Sequence, residues 1–254
     1  MKSKKDTAKT RAEFKISIFG TGSIKNKHDA IAIEFVKHLT KKIVKDKKHQ
    51  IIAGWYEGGV MGTAIDVAQR EARKLKRKDL LPEGVILGDQ SHRAPEGSDI
   101  IKVKNLPEEL GRIMEKSKAY VVMHGQTGTI IEMFTTLWSE AIEHLIKEKN
   151  KDFVPKPIIV VDSSPEYADL LDILVKKDKH IKNAMQDIYI INLDPNQNKK
   201  ETDLAAEAII GILELYYKKY LGKILNPKEE QSIKKLGLES FLKKKDTFKD
   251  FVWI

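Results

Sequence analysis

The fold of this chain is decided by the stretch Val121-Val122-Met123-His124-Gly125-Gln126-Thr127-Gly128-Thr129-Ile130-Ile131-Glu132. Its beginning belongs to an apolar run, residues 119–123, that predicts a buried strand. The run ends at a glycine-rich turn, and apolar residues at helical spacing begin at Thr129. A strand, a short turn and a helix N-terminus in this order predict an anion site, because the first N–H groups of a helix lack partners within it.

The same alternation of strand and helix continues along the chain. Apolar runs predict further strands at 14–19, 50–53, 85–87, 100–103, 157–161 and 188–191. Helical spacing predicts helices at 29–45, 60–76, 129–147, 165–175, 201–220 and 227–244. A further helix at 105–117 is predicted from Asn105 as its N-cap, followed by Pro107 and two glutamates in the first turn. Because most of the strands are continuous apolar runs, we expect a parallel α/β sheet with helices on both faces. Ligands of such sheets bind beyond the C-terminal strand ends, where turns 20–23, 54–62 and 124–129 should meet.

The predicted domain organisation has three parts. Residues 1–12 are polar and charged without periodicity, and are predicted to be disordered. Residues 13–198 form the main domain, and residues 199–254 form a C-terminal helical extension packed on it. The absence of cysteine and of any apolar run of 18 residues predicts a cytoplasmic protein without disulfides or membrane spans.

The net charge of +9 raises the possibility of nucleic-acid binding, but the kind of basic residue argues against it. Only six of the 46 basic residues are arginine, the residue that base and phosphate readers prefer. Scattered lysines on helix faces are more typical of solvation. We therefore do not expect a nucleic-acid partner.

The first two turns each allow two readings. Gly20-Thr21-Gly22-Ser23 either approaches a phosphate or is an ordinary turn, and Ser23 either caps the next helix or donates to a ligand. Gly58 and Gly59 precede a helix and permit the close approach of a ligand or of another backbone segment. The first turn is not a Gly-x-Gly-x-x-Gly dinucleotide fingerprint, because the third glycine would fall at residue 25, which is lysine. Neither turn is a P-loop, because no Gly-Lys-Ser/Thr follows it.

The third turn carries more polar groups. The hydroxyls of Thr127 and Thr129 and several N–H groups can contact one phosphate, at roughly 1.5–3 kcal/mol for each charge-assisted contact. Glu132, one helical turn further, either orders a substrate hydroxyl, polarises a leaving group or pairs with a lysine. His124 is either a ligand contact or a buried histidine with internal partners.

Two glycine motifs make the chain similar to the Lonely-guy (LOG) proteins, nucleoside 5′-monophosphate phosphoribohydrolases long mistaken for lysine decarboxylases. The family signatures are Gly-Gly-Gly-x-x-Gly-Leu-Met-Gly and Pro-Gly-Gly-x-Gly-Thr-x-x-Glu. They correspond to Gly54-Trp55-Tyr56-Glu57-Gly58-Gly59-Val60-Met61-Gly62 and to residues 124–132 of the opening stretch. The resemblance covers residues 14–195 and implies a Rossmann-like, doubly wound fold with a nucleotide-binding domain.

The resemblance also implies a site and a reaction. The phosphate and nucleotide would be held by Gly20, Ser23, Gly58, Gly59, Met61, Gly125, Thr127, Gly128 and Thr129. Glu132 would help cleave the N-glycosidic bond through an oxocarbenium-like transition state, which a nearby carboxylate stabilises. The products would be a free base and ribose 5-phosphate, formed without metal or cofactor. The family resemblance further implies a homodimer paired through helices beside the site.

Departures from the family pattern leave two functions open. The slot of a family arginine falls at Glu109, an acid, and Arg112 is the candidate catalytic residue to replace it. Reversing a catalytic charge costs several kcal/mol of transition-state stabilisation, enough to abolish a modest enzyme. Trp55 and Tyr56 stand in place of two glycines and should narrow the pocket. The chain is therefore either a phosphoribohydrolase of altered specificity or a catalytically weak nucleotide-binding or sensing protein of the same fold.

Overall fold

A computed structural model describes residues 14–46, 48–55, 57–88, 99–147, 153–163, 166–177, 187–194, 196 and 198–222. The segment predicted to be disordered, 1–12, and the predicted helix 227–244 lie outside these residues. Tyr56 in the second turn and residues 89–98 in the following loop also lie outside the described residues.

Seven strands and six α-helices follow one another in the described residues. In chain order they are β1 (Lys15–Phe19), α1 (Lys27–Lys45), β2 (Gln50–Gly54), α2 (Gly59–Lys74), β3 (Glu83–Leu87), β4 (Asp99–Val103), α3 (Leu106–Lys116), β5 (Ser117–Met123), α4 (Thr127–Lys147), β6 (Ile158–Asp162), α5 (Glu166–Lys177), β7 (Ile188–Asn192) and α6 (Lys199–Tyr220). A short 3-10 helix, Lys78–Leu80, precedes β3. Each strand and helix that was predicted within the described residues is present.

The strands form one sheet in the order β4-β3-β2-β1-β5-β6-β7. The chain winds from β1 outward to β4 and then from β5 outward to β7, which confirms the predicted doubly wound parallel fold. β1, β2, β5 and β6 are buried almost throughout, as expected for strands covered on both faces. The expectation of burial is wrong for β4: it lies at the edge of the sheet and is mostly exposed.

The chain divides into two compact units, residues 1–121 and residues 122–254. In the first unit, β1 pairs with β2 from Lys15 opposite Gln50, and α1 packs against α2. In the second unit, β6 pairs with β7 from Ile158 opposite Ile188. The predicted division at residues 12 and 198 stays a prediction.

Asparagine side chains cap three of the helices. Asn26 accepts from the N–H of Asp29 at 2.9 Å, and Asp29 accepts in return, so the cap of α1 is Asn26 and not Ser23. This corrects one reading of Ser23. Asn105 caps α3 by accepting from the N–H of Glu108 at 2.9 Å, as predicted from the sequence. Asn198 does the same for α6.

α6 is the described part of the predicted C-terminal extension. Its buried face carries Ala205, Ile209, Ile212, Leu213 and Tyr216, which give it the apolar stripe of a packed helix. The Tyr216 hydroxyl lies 3.1 Å from the hydroxyl of Tyr189 on β7, so α6 packs on the sheet within the second unit.

Candidate phosphate-binding site

The turn after β5 presents unpaired backbone donors in the second unit. The first α-helical hydrogen bond of α4 runs from the N–H of Ile130 to the carbonyl of Gln126 at 3.1 Å. Within the described residues, the N–H groups of Thr127, Gly128 and Thr129 have no acceptor. Three donors at one helix end form the arrangement that binds anions, because the helix dipole also favours negative charge there.

The surface of this turn is open at its centre. Thr127 and Gly128 are exposed, and no described atom lies within 4 Å of the place that a Cβ of Gly128 would take. Thr129 is buried at 3 % exposure. α4 begins at Thr127, two residues earlier than predicted, and Gly128 within its first turn has no positive φ. Both Thr127 and Gly128 therefore belong to the first helical turn.

A buried tyrosine fixes the turn from the protein interior. The hydroxyl of Tyr167 donates to the carbonyl of Gly125 at 2.9 Å. In a regular α-helix this carbonyl would accept from the N–H of Thr129, four residues later. The N–H of Tyr167 donates in turn to Asp162 Oδ2 at 3.1 Å. Burial raises the pKa of the Tyr167 phenol well above its usual value, so the hydroxyl keeps its proton and remains a donor.

His124 belongs to the same cluster. Its Nδ1 lies 3.8 Å from Asp162 Oδ1, and its ring stacks on Tyr167 with the centroids 6.0 Å apart. The side chain is buried at 6 % exposure. Of the two readings of His124, the geometry favours the buried histidine with internal partners.

Glu132 lies in the second turn of α4. Its side chain is half-buried, and its charge is close enough to Tyr167 to contribute to the raised pKa of that phenol after burial itself. Glu132 therefore lies near the turn but is not one of the groups that would donate a hydrogen bond to an anion. The catalytic role of Glu132 stays a prediction.

In the first unit, turn 20–23 packs directly on the start of α2. The N–H of Val60 donates to the carbonyl of Thr21 at 2.7 Å. A Cβ on Gly20 would lie 2.6 Å from Val60 Cγ1, and a Cβ on Gly59 would lie 2.3 Å from the Thr21 oxygen. Gly20 thus makes room for the side chain of Val60, and Gly59 makes room for the backbone of turn 20–23.

The other predicted residues of these two turns are placed as follows. Gly58 has a φ of 80° and no described atom within 4 Å of its would-be Cβ, so it leaves open space beside Gly59. Ser23 is exposed, and its N–H donates to Thr21 Oγ1 at 3.3 Å. Met61 is buried at 4 % exposure, with its sulfur 3.5 Å from the would-be Cβ of Gly54.

Glu109 is a buried acid in the first turn of α3. Only 4 % of the residue is exposed, and its Oε2 has no hydrogen-bond partner among the described residues. Its Oε1 lies 2.4 Å from the place that a Cβ of Gly54 would occupy, so a larger residue at 54 would displace this carboxyl. Burial without a partner raises the pKa of Glu109 to about 7.

Arg112, the predicted substitute for the family's arginine, lies on the outer side of α3. Its side chain is half-exposed, and its Nη1 is 3.1 Å from Glu115 Oε2 on the same helix. The slot of the family arginine itself therefore holds a buried acid, and the described partner of Arg112 is a surface glutamate. Its catalytic role stays a prediction.

The structure brings the predicted residues together in two groups, one in each unit. Gly20, Ser23, Gly58, Gly59 and Met61 lie around turn 20–23 and the start of α2; Gly125, Thr127, Gly128, Thr129 and Glu132 lie around the start of α4. Asp162 and Tyr167 were not predicted from the sequence. A signal for Asp162 was present, since a lone carboxylate ends an apolar strand at the edge where ligands bind.

Two further observations concern the described residues as a whole. None of their helices is both long and apolar enough to cross a membrane. No group of three or more His, Asp or Glu side chains among them is arranged to hold a metal ion.

Comparison with known proteins supports the fold. No protein-family model matches the chain, and no curated protein sequence matches it either. The solved structure of the molybdenum cofactor carrier protein from Chlamydomonas reinhardtii is similar, with a TM-score of 0.53 at 15 % identity over 80 % of this chain and 99 % of that one. The molybdenum cofactor binding protein from Rippkaea orientalis gives a TM-score of 0.49 at 15 % identity over 78 % and 98 %. The first of these likenesses shows a shared Rossmann-like fold.

Proposed function

We propose that this protein binds a small phosphorylated molecule, with the phosphate group at residues 125–129. The observation that carries the proposal is the set of three N–H donors at Thr127, Gly128 and Thr129, beside an open Gly128. Tyr167 supports the proposal, because its hydrogen bond to Gly125 holds the turn in place before a ligand binds. The turn therefore loses little conformational entropy on binding.

The ligand class follows from two sources of support. The glycine motifs resemble those of proteins that act on nucleoside 5′-monophosphates. The first solved structure of similar fold is a carrier of the molybdenum cofactor. A nucleoside 5′-monophosphate is therefore the first candidate ligand, and the molybdenum cofactor is the second.

We infer that binding, rather than bond cleavage, is the principal activity. The position at which the family has an arginine holds Glu109, which is buried without a partner, and Arg112 pairs with a glutamate on its own helix. A phosphoribohydrolase of altered specificity is the second candidate function. Glu132 favours it, since a half-buried carboxylate one turn from the phosphate donors suits stabilisation of an oxocarbenium ion.

Calorimetry with matched ligand pairs tests the proposal. Each nucleoside 5′-monophosphate is titrated beside its nucleoside, and the molybdenum cofactor is titrated separately. Charge-assisted contacts of roughly 1.5–3 kcal/mol predict that monophosphates bind at least about tenfold more tightly than nucleosides. Equal affinity within each pair would remove the phosphate site from consideration.

Chromatography of the same mixtures separates the two functions. Intact nucleotide after long incubation supports a binding protein. Release of free base by the wild type, lost in Glu132→Gln with binding retained, supports the hydrolase instead. Glu143→Gln, a change of the same kind further along α4, is the matched control and should alter neither reading.

A further inference from the structure

The end of α2 carries a dense run of basic residues. Between residues 70 and 78, six of the nine side chains are basic: Arg70, Arg73, Lys74, Lys76, Arg77 and Lys78. All six are exposed except Arg77, which is partly buried. Only Arg73 and Lys74 lie in the last turn of α2, where a cation stabilises the helix dipole. The other four basic residues need another explanation.

The backbone folds this run into one compact surface. The N–H of Lys76 donates to the carbonyl of Arg73 at 3.0 Å. The N–H of Arg77 donates to the carbonyl of Ala72 at the same distance of 3.0 Å. Lys76 has a φ of 52°, the left-handed conformation in which helices commonly end on glycine. The chain therefore turns back at the end of α2, and the last basic residues of the run stay beside the helix.

The end of α1 adds two lysines to the same surface. α1 packs against α2, and Lys41 and Lys45 of α1 are both exposed. The hydrogen bond from Lys74 lowers the pKa of Glu71 on α2, against the opposing effect of burial. The charges of Lys45 and Lys41 lower that pKa further, so both lysines lie close to the run. We call Lys41, Lys45 and the six residues of the run the basic surface.

The basic surface keeps most of its charge. Glu71 is buried, with its Oε1 2.8 Å from Lys74 Nζ. Asp79 Oδ1 accepts from Arg77 Nε at 2.6 Å, and Asp66 is the third nearby carboxylate. Eight basic groups against three acidic ones leave this part of the first unit with a net charge of +5. Such a concentration of one sign creates a potential that attracts polyanions.

The side chains of the basic surface indicate the kind of polyanion. Composition alone predicts no nucleic-acid partner because arginine is scarce, but three of the six arginines of the chain lie here, and arginine makes forked contacts with phosphate. Residues 37–48 and 70–80 contain no Phe, Tyr or Trp to stack on unpaired bases. None of the exposed side chains described in these two segments is large and apolar, so the surface lacks the apolar face of a membrane-bound helix.

We propose that the basic surface binds the phosphate backbone of a double-stranded nucleic acid without reading its sequence. A duplex carries one negative charge for about every 1.7 Å of its axis, so several lysines and arginines contact phosphates at once. Contacts to the backbone position a protein but carry no sequence information. DNA and RNA duplexes share this chemistry. The surface lies at the far end of α2 from Gly58 and Gly59, so a bound duplex leaves those glycines uncovered.

Fluorescence anisotropy with the full chain tests the basic surface. The probes are labelled duplexes of about 20 base pairs, namely DNA of two unrelated sequences and RNA of one of them. We expect a micromolar dissociation constant at roughly 50 mM salt, equal for the two DNA sequences. With about four phosphates contacted, affinity should fall about 100-fold between roughly 50 and 200 mM salt. Binding of either duplex supports the proposal, and the ratio of the two affinities identifies the preferred one.

Paired substitutions locate the binding. Arg70→Gln combined with Arg73→Gln should weaken duplex binding at least about tenfold and reduce the loss over the same salt range to about tenfold. Lys199→Gln combined with Lys200→Gln is the matched control, since it removes the same two charges from exposed positions of α6. The control should keep its affinity within about twofold of the wild type.

Lys76→Gly separates loss of binding from loss of folding. Glycine adopts the left-handed conformation of residue 76 without strain, so this variant should have a raised melting temperature. It also removes one positive charge and should bind the duplex several-fold more weakly. A Lys76→Gly chain that melts higher and binds as tightly as the wild type would remove this residue from the surface.

Three outcomes overturn the proposal. The first is no binding of either duplex at roughly 50 mM salt, or equal affinity in the Arg70/Arg73 double variant and its control. The second is a preference of more than about tenfold for one DNA sequence, or for a single strand over the duplex. The third is binding to vesicles of phosphatidylserine and phosphatidylcholine without binding to duplexes, which assigns the surface to an anionic membrane. No nucleotide ligand is added in these measurements, so their result does not depend on the proposed function.

Discussion

The hydroxyl of Tyr167 and the carbonyl of Gly125 are joined by a hydrogen bond of 2.9 Å that connects α5 to the candidate phosphate turn. Both groups are buried, and Gly125 lies between the end of β5 and the start of α4. The donors that face outward are thus supported by an acceptor that faces inward.

Removing the Tyr167 hydroxyl should weaken both stability and ligand binding. Tyr167→Phe leaves the buried carbonyl of Gly125 without its donor, at a cost of about 1–3 kcal/mol in the free energy of unfolding. A looser turn should also lower the affinity for a nucleoside 5′-monophosphate several-fold. Chemical denaturation and calorimetry measure the two effects. Tyr189→Phe removes a part-buried hydroxyl contact with Tyr216 instead, and should lower stability while leaving affinity unchanged.

A negative charge in the turn should separate stability from binding. Gly128→Asp fits without steric overlap, and an acid in the first turn of a helix is stabilising by roughly 0.3–1 kcal/mol. The same charge repels a bound phosphate. We expect an unchanged or raised melting temperature together with lost binding of AMP. Gly111→Asp, in α3, also has open space and is the control; AMP binding that survived in Gly128→Asp would argue against the site.

Three glycine substitutions should rank by their backbone surroundings. Gly22→Ala has open space and no positive φ, so it should be nearly neutral. Gly58→Ala has open space at a φ of 80° and should cost about 1–3 kcal/mol of stability. Gly59→Ala adds to such strain an overlap with the Thr21 oxygen and should be the most destabilising of the three. Denaturant titration gives the order, and a Gly59→Ala as stable as Gly22→Ala would contradict the packing described for this turn.

Glu109 should make the protein less stable as the pH rises. The pKa of this acid is about 7 in the folded chain and about 4.5 when unfolded, so between these values the folded state holds the extra proton. Stability from this group is therefore full below pH 4.5 and declines toward pH 7, by at most about 3 kcal/mol. Glu109→Gln should flatten this part of the stability profile and exceed the wild type in stability at pH 8.

Glu115→Gln is the matched control for Glu109, since it removes an exposed acid from the same helix. Denaturation across pH 4–8 should show the wild-type slope in this variant. A Glu109→Gln profile that runs parallel to the wild type would contradict a buried, unpartnered carboxyl.

The sequence predicted the parallel sheet because strand and helix periodicities are local properties. Asn105 could be placed as a cap before Pro107 and two glutamates from these residues alone. Tyr167 could not be assigned to the turn in this way. It lies 42 residues after Gly125, and only the path of the chain through β6 and α5 brings the two together.

Burial was also hidden from the sequence. Glu109 lies in the first turn of α3, among polar and apolar residues. Nothing in the neighbouring sequence distinguishes it from the surface acid Glu108. Its position against Gly54 depends on how α3 lies on β2. The edge position of β4 was hidden for the same reason, since strand order is a property of the assembled sheet and two isoleucines in a row read as core.

The 42-residue separation between Tyr167 and Gly125 also sets an order of events in folding. β5 and the start of α4 can form from neighbouring residues, but the carbonyl of Gly125 acquires its donor, the Tyr167 hydroxyl, only after β6 and α5 have followed in the chain. Closing a loop of this length delays the contact relative to local ones. During synthesis the Gly125 carbonyl therefore lacks this donor until the chain has passed residue 167, so the proposed phosphate-binding turn is completed late in the folding of the second unit.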